Sequence, residues 1–251
     1  DYESAAIYKW RKKRKKAFVL FICIVGICFL VTRMVRVEDK TTVKVHNMHT
    51  EQNEKAIRYV ASNMIKEDPK IAITFDDGPS PAWTPQLLDG LKERNVKATF
   101  FLIGENAKNN PELVKREAEE GHLIGNHTYH HVEITRVPDE TAQEEILMTN
   151  EVIAGITGEE VSYMRPPFGV WQKNLERKLD VMPVLWTIDP LDWTTDNEDE
   201  IINKVVTQAG ENDIILLHDC YESSVNAALR IVDILQKEGF EFVTVDELIM
   251  N

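Results

Sequence analysis

From Lys70 onward the chain keeps repeating one arrangement: a short apolar run, a break, then a stretch with helical spacing. The runs are Ile71 to Phe75, Ala98 to Ile103, His122 to Gly125, Val161 to Met164, Met182 to Ile188, Ile214 to Leu217 and Phe240 to Thr244. Runs this short and this apolar suit strands buried on both faces. The intervening helices have readable ends. Asn110 precedes Pro111 as a cap, Gly121 follows the same segment, and Asp139 opens a long segment that stops near Gly155 and Gly158. Such alternation predicts an α/β fold with a parallel sheet, and seven strands is a barrel-like count.

In parallel α/β folds the loops leaving the strand ends converge, so ligands and catalytic groups collect there. The first run, Ile71 to Ser80, ends in two adjacent carboxylates, Asp76 and Asp77, before Gly78-Pro79 stops it. An aspartate capping the turn accounts for one acid, not for two. After the third run comes Gly125 to His131, in which His127 and His131 stand four apart. If that turn is helical, both imidazoles leave one face, at the spacing a tetrahedral metal uses for two ligands from one helix. Asp77 would add the carboxylate and leave a fourth position to water, while His130 and His122 get no ligand role. A surface helix start that happens to be rich in histidine is the bland alternative. The later runs end in Arg165-Pro166-Pro167-Phe168-Gly169, Asp189-Pro190-Leu191-Asp192-Trp193 and Leu216-Leu217-His218-Asp219. Five strand ends carrying ionisable groups argue for one shared site.

Charge divides the chain. Residues 1 to 36 hold nine Lys and Arg against two acids, whereas the whole carries a formal net charge of -13. The globular part is therefore strongly acidic, which disfavours nucleic acid as a partner. The basic residues cluster between Lys9 and Lys16, an uncharged run follows from Ala17 to Thr32, and Arg33 and Arg36 close it. This pattern predicts one transmembrane signal anchor over 17–36 behind a basic cytoplasmic tail, 1–16, with flanking cations snorkelling to complete a short span. A cleaved signal peptide fits less well, since no small-x-small site follows the run. The charge bias places the tail in the cytoplasm and the catalytic domain outside the cell membrane. A juxtamembrane stalk, 37–69, contains His46 and His49 as solvated bystanders, and the catalytic domain is expected over 70–251. Cys23 and Cys28 fall in the apolar run, leaving Cys220 alone in the globular part. No disulfide framework can form there, and any metal must be held by histidine and carboxylate.

The stretches TFDDG at 74–78, HTYHH at 127–131, RPPFG at 165–169, DPLDW at 189–193 and LLHD at 216–219 resemble the five ordered motifs of polysaccharide deacetylases. This is the NodB-homology family, or carbohydrate esterase family 4. The resemblance covers about Lys70 to Leu248 and implies a distorted (β/α)7 barrel that removes acetyl groups from N-acetylated glycans. It implies a divalent metal, usually zinc with cobalt or nickel as substitutes, on Asp77, His127 and His131. It also implies Asp76 as general base, Arg165 as the partner that orients it, and His218 as the acid for the leaving amine. Asp189 would orient His218 and favour its protonated form. The Phe168 backbone N–H would help hold the oxyanion, and Trp193 and Leu216 would wall the acetyl pocket and stack on the sugar. Phe168 departs from the pattern, since many relatives carry Tyr there.

The expected function is thus metal-dependent N-deacetylation of an extracytoplasmic polysaccharide, with N-acetylglucosamine of cell-wall peptidoglycan as substrate. Alternatives are a different glycan (chitooligosaccharide, a muramic acid unit, poly-N-acetylglucosamine or O-acetyl xylan) or a non-catalytic glycan-binding module. Nothing in the sequence speaks to oligomeric state.

Overall fold

The computed structural model describes residues 68–171, 175 and 179–250. The expected tail, anchor and nearly all of the stalk lie outside the described residues. Among the described residues no helix is long and apolar enough to cross a membrane.

Among the described residues all the strands run parallel. In chain order they are β1 (Lys70–Asp76), β2 (Thr99–Leu102), β3 (Leu123–Asn126), β4 (Tyr163–Met164), β5 (Met182–Pro183), β6 (Ile214–His218) and β7 (Glu241–Phe242). Their spatial order is β5-β4-β3-β2-β1-β6, with β7 pairing the start of β1. The helices are α1 (Thr84–Glu93), α2 (Gly104–Asn109), α3 (Pro111–Glu119), α4 (Asp139–Thr157), α5 (Glu198–Val206), α6 (Glu222–Lys237) and α7 (Val245–Ile249).

β1 is central because its side chains are buried on both faces, as the apolar run required. Strand periodicity splits those faces. Ile71, Ile73 and Phe75 pack outward on Leu87, Leu88 and Leu91 of α1 and on Ile231, Val232 and Leu235 of α6. Burying each such side chain contributes about 1.5–3 kcal/mol, so this layer holds the sheet to its helices. Ala72 instead joins Phe101, Val184 and Val245 on the opposite face. Thr74 and Asp76 share the parity of Ala72 and project the same way.

The helix ends follow the expected chemistry at α3, where Pro111 is the first residue, and at α4, where Gly158 at φ 76° terminates the helix. Gly155 lies inside α4. The run Met182 to Ile188 does not form one strand. Its beginning pairs with β4, while Ile188 bridges Ile215 of β6. One segment thereby contacts both edges of the sheet and curls it.

Candidate active site

Strand register gathers the site. Asp76 is paired with His218 across β1 and β6, and with Phe101 across β1 and β2. Asn126 is paired with Met164 across β3 and β4, so His127 and Arg165, the next residues, leave the same rim. The strands β1, β3, β4 and β6 therefore deliver their motif residues at the C-terminal edge of the sheet.

Arg165 is fully buried and satisfied on every side. Its Nη1 donates to Thr74 Oγ1 at 2.7 Å and to Asp76 Oδ1 at 2.8 Å, two acceptors that β periodicity places on one face. Nε and Nη2 donate to the carbonyls of Val184 and Leu185. The guanidinium carbon lies 4.3 Å from the Phe101 ring centroid and 5.6 Å from that of Trp186. Asp76 is thus pinned by a charged, stacked partner and presents Oδ2 3.8 Å from His127 Nε2.

Asp77 does not continue the strand. Its φ of 72° turns the chain out of the sheet and frees its carboxylate from the strict alternation that would have sent it outward. His127 and His131 converge on it, though through no helix: residues 127–133 form an irregular loop in which Thr128 and His131 take left-handed φ of 62° and 55°. The helical geometry expected for this stretch is absent because Asn126 captures the turn. Its Oδ1 accepts the Thr128 N–H, and its Nδ2 donates to Ile146 O and Asn150 Oδ1 of α4.

Both imidazole Nε2 atoms stand 3.4 Å from Asp77 Oδ1, and that oxygen is buried without a hydrogen-bond partner. One donor atom from each of the three residues lies within 4.8 Å of the others. His127 Nδ1 is 2.6 Å from the Arg165 carbonyl, an acceptor only, so the ring proton sits there and the Nε2 lone pair faces the carboxylate. Two electron-pair donors and an anionic oxygen aimed at one point fit a cation, and these residues form a possible metal site. Burial alone would raise the Asp77 carboxyl, but His127, His218 and His131 around it hold it below its ordinary value. Burial, with His127 alongside, pushes His131 down and leaves it in the neutral form a metal requires.

His218 closes the site from the opposite side, with Nε2 4.0 Å from Asp77 Oδ2. Its orienting acid is Asp192, not Asp189. Asp192 is buried and grips His218 twice, Oδ1 2.8 Å from Nδ1 and Oδ2 accepting the backbone N–H at 2.8 Å. Asp189 instead accepts the Leu191 N–H at 2.8 Å, closing the turn that puts Leu191 at φ 57° and swings Asp192 under β6. The charge of Asp189 acts on Arg165. Burial would lower His218, but the hydrogen bond and charge of Asp192, with Asp76 and Asp77 beyond, raise it to about 9. The imidazolium is therefore stocked with a proton at neutral pH.

Comparison with known proteins extends the likeness beyond these residues. The polysaccharide deacetylase family model matches residues 63–184. A peptidoglycan-N-acetylglucosamine deacetylase of Bacillus cereus is 39% identical over 199 residues, covering 76% of this chain and 93% of that protein. The chain belongs to the polysaccharide deacetylase family. Peptidoglycan-N-acetylglucosamine deacetylase PgdA of Listeria monocytogenes is 37% identical over 216 residues, 83% of this chain. The chain spans about half that relative's length, 46%. The solved structure of peptidoglycan deacetylase PdaC from Bacillus subtilis matches with a TM-score of 0.71 at 39% identity, over 72% of this chain and 90% of that one.

Other residues of this polysaccharide deacetylase domain fall into place around the site. Leu216 is buried on the same face of β6 as His218, whereas Trp193 is largely exposed beside Asp192. Phe168 takes φ 61° on the 3-10 turn Pro167–Gly169, and its exposed ring packs on His131 at 5.0 Å. His122 lies outside the site and accepts the Ala98 N–H on Nδ1, with burial pushing it down to about 4. His130 points away from the metal corner and is held by Glu145 of α4, which accepts both its backbone N–H and Nδ1–H at 2.7 Å. Glu145 thus anchors the loop between His127 and His131, a role no sequence motif announces. Burial and the nearby Asp77, Asp219 and Asp192 push the Cys220 thiol up to about 12, away from the thiolate that a nucleophile needs.

Proposed function

We propose that this chain is a metal-dependent hydrolase that removes N-acetyl groups from an extracytoplasmic polysaccharide, acting on N-acetylglucosamine of peptidoglycan. The observation that carries this reading is a three-residue metal corner with a carboxylate pinned by Arg165 on one side and a proton-loaded His218 on the other, each within about 4 Å of it. We read the curled sheet as a distorted (β/α)7 barrel over 70–251. The names of the Listeria and Bacillus cereus relatives support N-acetylglucosamine of peptidoglycan as the sugar acted on.

Each residue then has a task. Asp76, fixed by Arg165, accepts a proton from the water that attacks the acetyl carbonyl. Asp77, His127 and His131 hold the divalent ion, zinc being the metal that a two-histidine, one-carboxylate set with an open position suits. When bound, the ion supplies a Lewis acid to the acyl group. The Phe168 backbone N–H faces the developing oxyanion. His218, held by Asp192, gives its Nε2 proton to the departing amine, so that the nitrogen leaves neutral. Trp193 and Leu216 wall the pocket.

The basic cluster and apolar run before Val37 support a single-pass anchor with a cytoplasmic N-terminus and the catalytic domain outside. The mature protein is expected to keep residues 1–36, and a form starting near Val37 and free in the medium would defeat that. The activity is tested by acetate release from peptidoglycan, chitooligosaccharide and acetylxylan in parallel, with and without a chelator. Release from peptidoglycan that the chelator abolishes supports the proposal. Glycan binding without any release would turn the reading to a non-catalytic module.

A further inference from the structure

Among the large apolar side chains exposed on loops leaving the strand ends are Phe168 at 64%, Trp193 at 56%, Leu191 at 43% and Tyr221 at 41%. Scattered exposed apolar groups need no explanation, but several around one site mark a ligand surface. Phe168 and Leu191 are also held at φ 61° and 57°, a conformation that costs free energy in any residue but glycine.

Chemistry decides which of them meets which part of a substrate. In the deacetylase reading, on which this inference rests, His218 protonates the leaving nitrogen. The sugar bearing that nitrogen must then lie on the His218 side of the breaking bond, with the acetyl group toward Asp77 and the histidine ligands. Phe168 packs on His131 and belongs to the acetyl side. Tyr221 belongs to the other, because its ring and that of His218 form a T-shaped pair, 6.3 Å between centroids and 73° between planes. It follows His218 by three residues and immediately precedes α6, so a strand end and a helix start fix its backbone. Leu191 and Trp193 flank in sequence Asp192, the residue that grips His218.

We propose that Tyr221 is a specificity-determining residue, the aromatic platform on which the pyranose ring of the reacting glycan stacks. A pyranose ring offers an apolar C–H face bordered by hydroxyls. A tyrosine answers with a rigid apolar face and one polar tip, at little conformational cost. Because the sugar face touches the platform before and during reaction alike, the contact contributes uniform binding.

The test compares Tyr221→Ala and Tyr221→Phe with the wild type, as full zinc-loaded chains, on an N-acetylated chitooligosaccharide and on an aryl acetate that has no sugar. Calorimetric titration with the same oligosaccharide accompanies the kinetics. Tyr221→Ala is expected to raise KM and Kd for the glycan roughly tenfold with little change in kcat, and to lose less on the aryl acetate. Tyr221→Phe, which keeps the ring face, should recover most of the glycan affinity. Equal losses of Tyr221→Ala on both substrates, or an unchanged Kd and KM for the glycan, would overturn the platform. A wild type that binds the oligosaccharide but releases acetate neither from it nor from peptidoglycan would overturn the deacetylase reading alone, and the Kd values would still decide on Tyr221.

Discussion

Two corners of the site each bring histidine up to aspartate, and they use the pairing in opposite ways. Asp192 meets His218 at 2.8 Å through two hydrogen bonds, so the carboxylate stabilises an imidazolium and His218 rises to about 9. Asp77 meets His127 and His131 at 3.4 Å without bonding either, and His131 is pushed below its ordinary value. The residue types are the same. What differs is where the ring protons go: His127 spends its Nδ1 proton on the Arg165 carbonyl and turns a lone pair toward the acid, while His218 spends it on the acid itself. The first arrangement asks for a cation and the second stores a proton, the two requirements for cleaving an amide bond.

The contrast breaks most visibly at the adjacent aspartates. Asp76→Asn is expected to keep the metal and lose about 10²–10⁴-fold in turnover, because an amide cannot take a proton from water. Asp77→Asn is expected to lose metal and turnover together, since it removes the only anion among the three ligands. Elemental analysis beside acetate release reads both, and full activity in Asp76→Asn would sink the mechanism. Next in size is His218→Ala, which should retain metal and lose on the order of 10²-fold on the amide. An activated aryl ester, whose leaving group scarcely needs a proton, should suffer less, and equal losses would count against the acid role.

A finer distinction lies between the two acids of the fifth motif stretch. Turnover must fall as pH rises through the His218 value, because the acid has then lost its proton. Asp192→Asn removes the anion that raises that value, so the alkaline limb should move to lower pH by about 1–3 units. Asp189→Asn should leave the limb in place, and a shift of equal size there would contradict the structural assignment.

The smallest effect concerns a carboxyl that has neither a metal nor a proton-accepting partner. Glu117 of α3 is fully buried with both oxygens unpaired, and burial, with Asp219 nearby, raises it well above its ordinary value. A raised acid keeps its proton in the folded chain after the unfolded chain has given it up. Stability is therefore whole below the ordinary carboxyl range and drains as pH climbs toward the folded value, at up to about 1.4 kcal/mol per pH unit. Asp219, raised to about 7, adds its share below that pH. Chemical denaturation at pH values above the ordinary carboxyl range should thus show a slope that Glu117→Gln flattens, and an unchanged slope would show Glu117 to be paired in solution.

How far the chain could be read without coordinates varied with the range of the interaction. Apolar runs stopped by Gly and Pro are local, and they gave six of the seven strand positions to within a few residues. The exception, Met182 to Ile188, divides between two sheet edges because its two ends find different partners, β4 and β6. The close approach of Asp77, His127 and His131 was equally legible, since Asp77 leaves the end of β1 and both histidines follow β3 of the same sheet. Their path was not: four-residue spacing suits a helix, yet Asn126 bonded across to α4 forces a left-handed loop that reaches the same end.

What the sequence determined by itself, then, was which strands end in which chemistry, because strand, stop and side-chain type are written within a few residues of each other. What only the tertiary structure decided was which neighbour each charged group answers to. Asp189 and Asp192 stand three apart in one motif and look interchangeable. A left-handed Leu191 closes on the first and carries the second under a strand 26 residues downstream, where it meets both the ring and the backbone of His218. Glu145 holding His130 and Tyr221 standing against His218 are choices of the same kind. Each is a distance set by packing between elements, and no local pattern encodes a distance across a sheet.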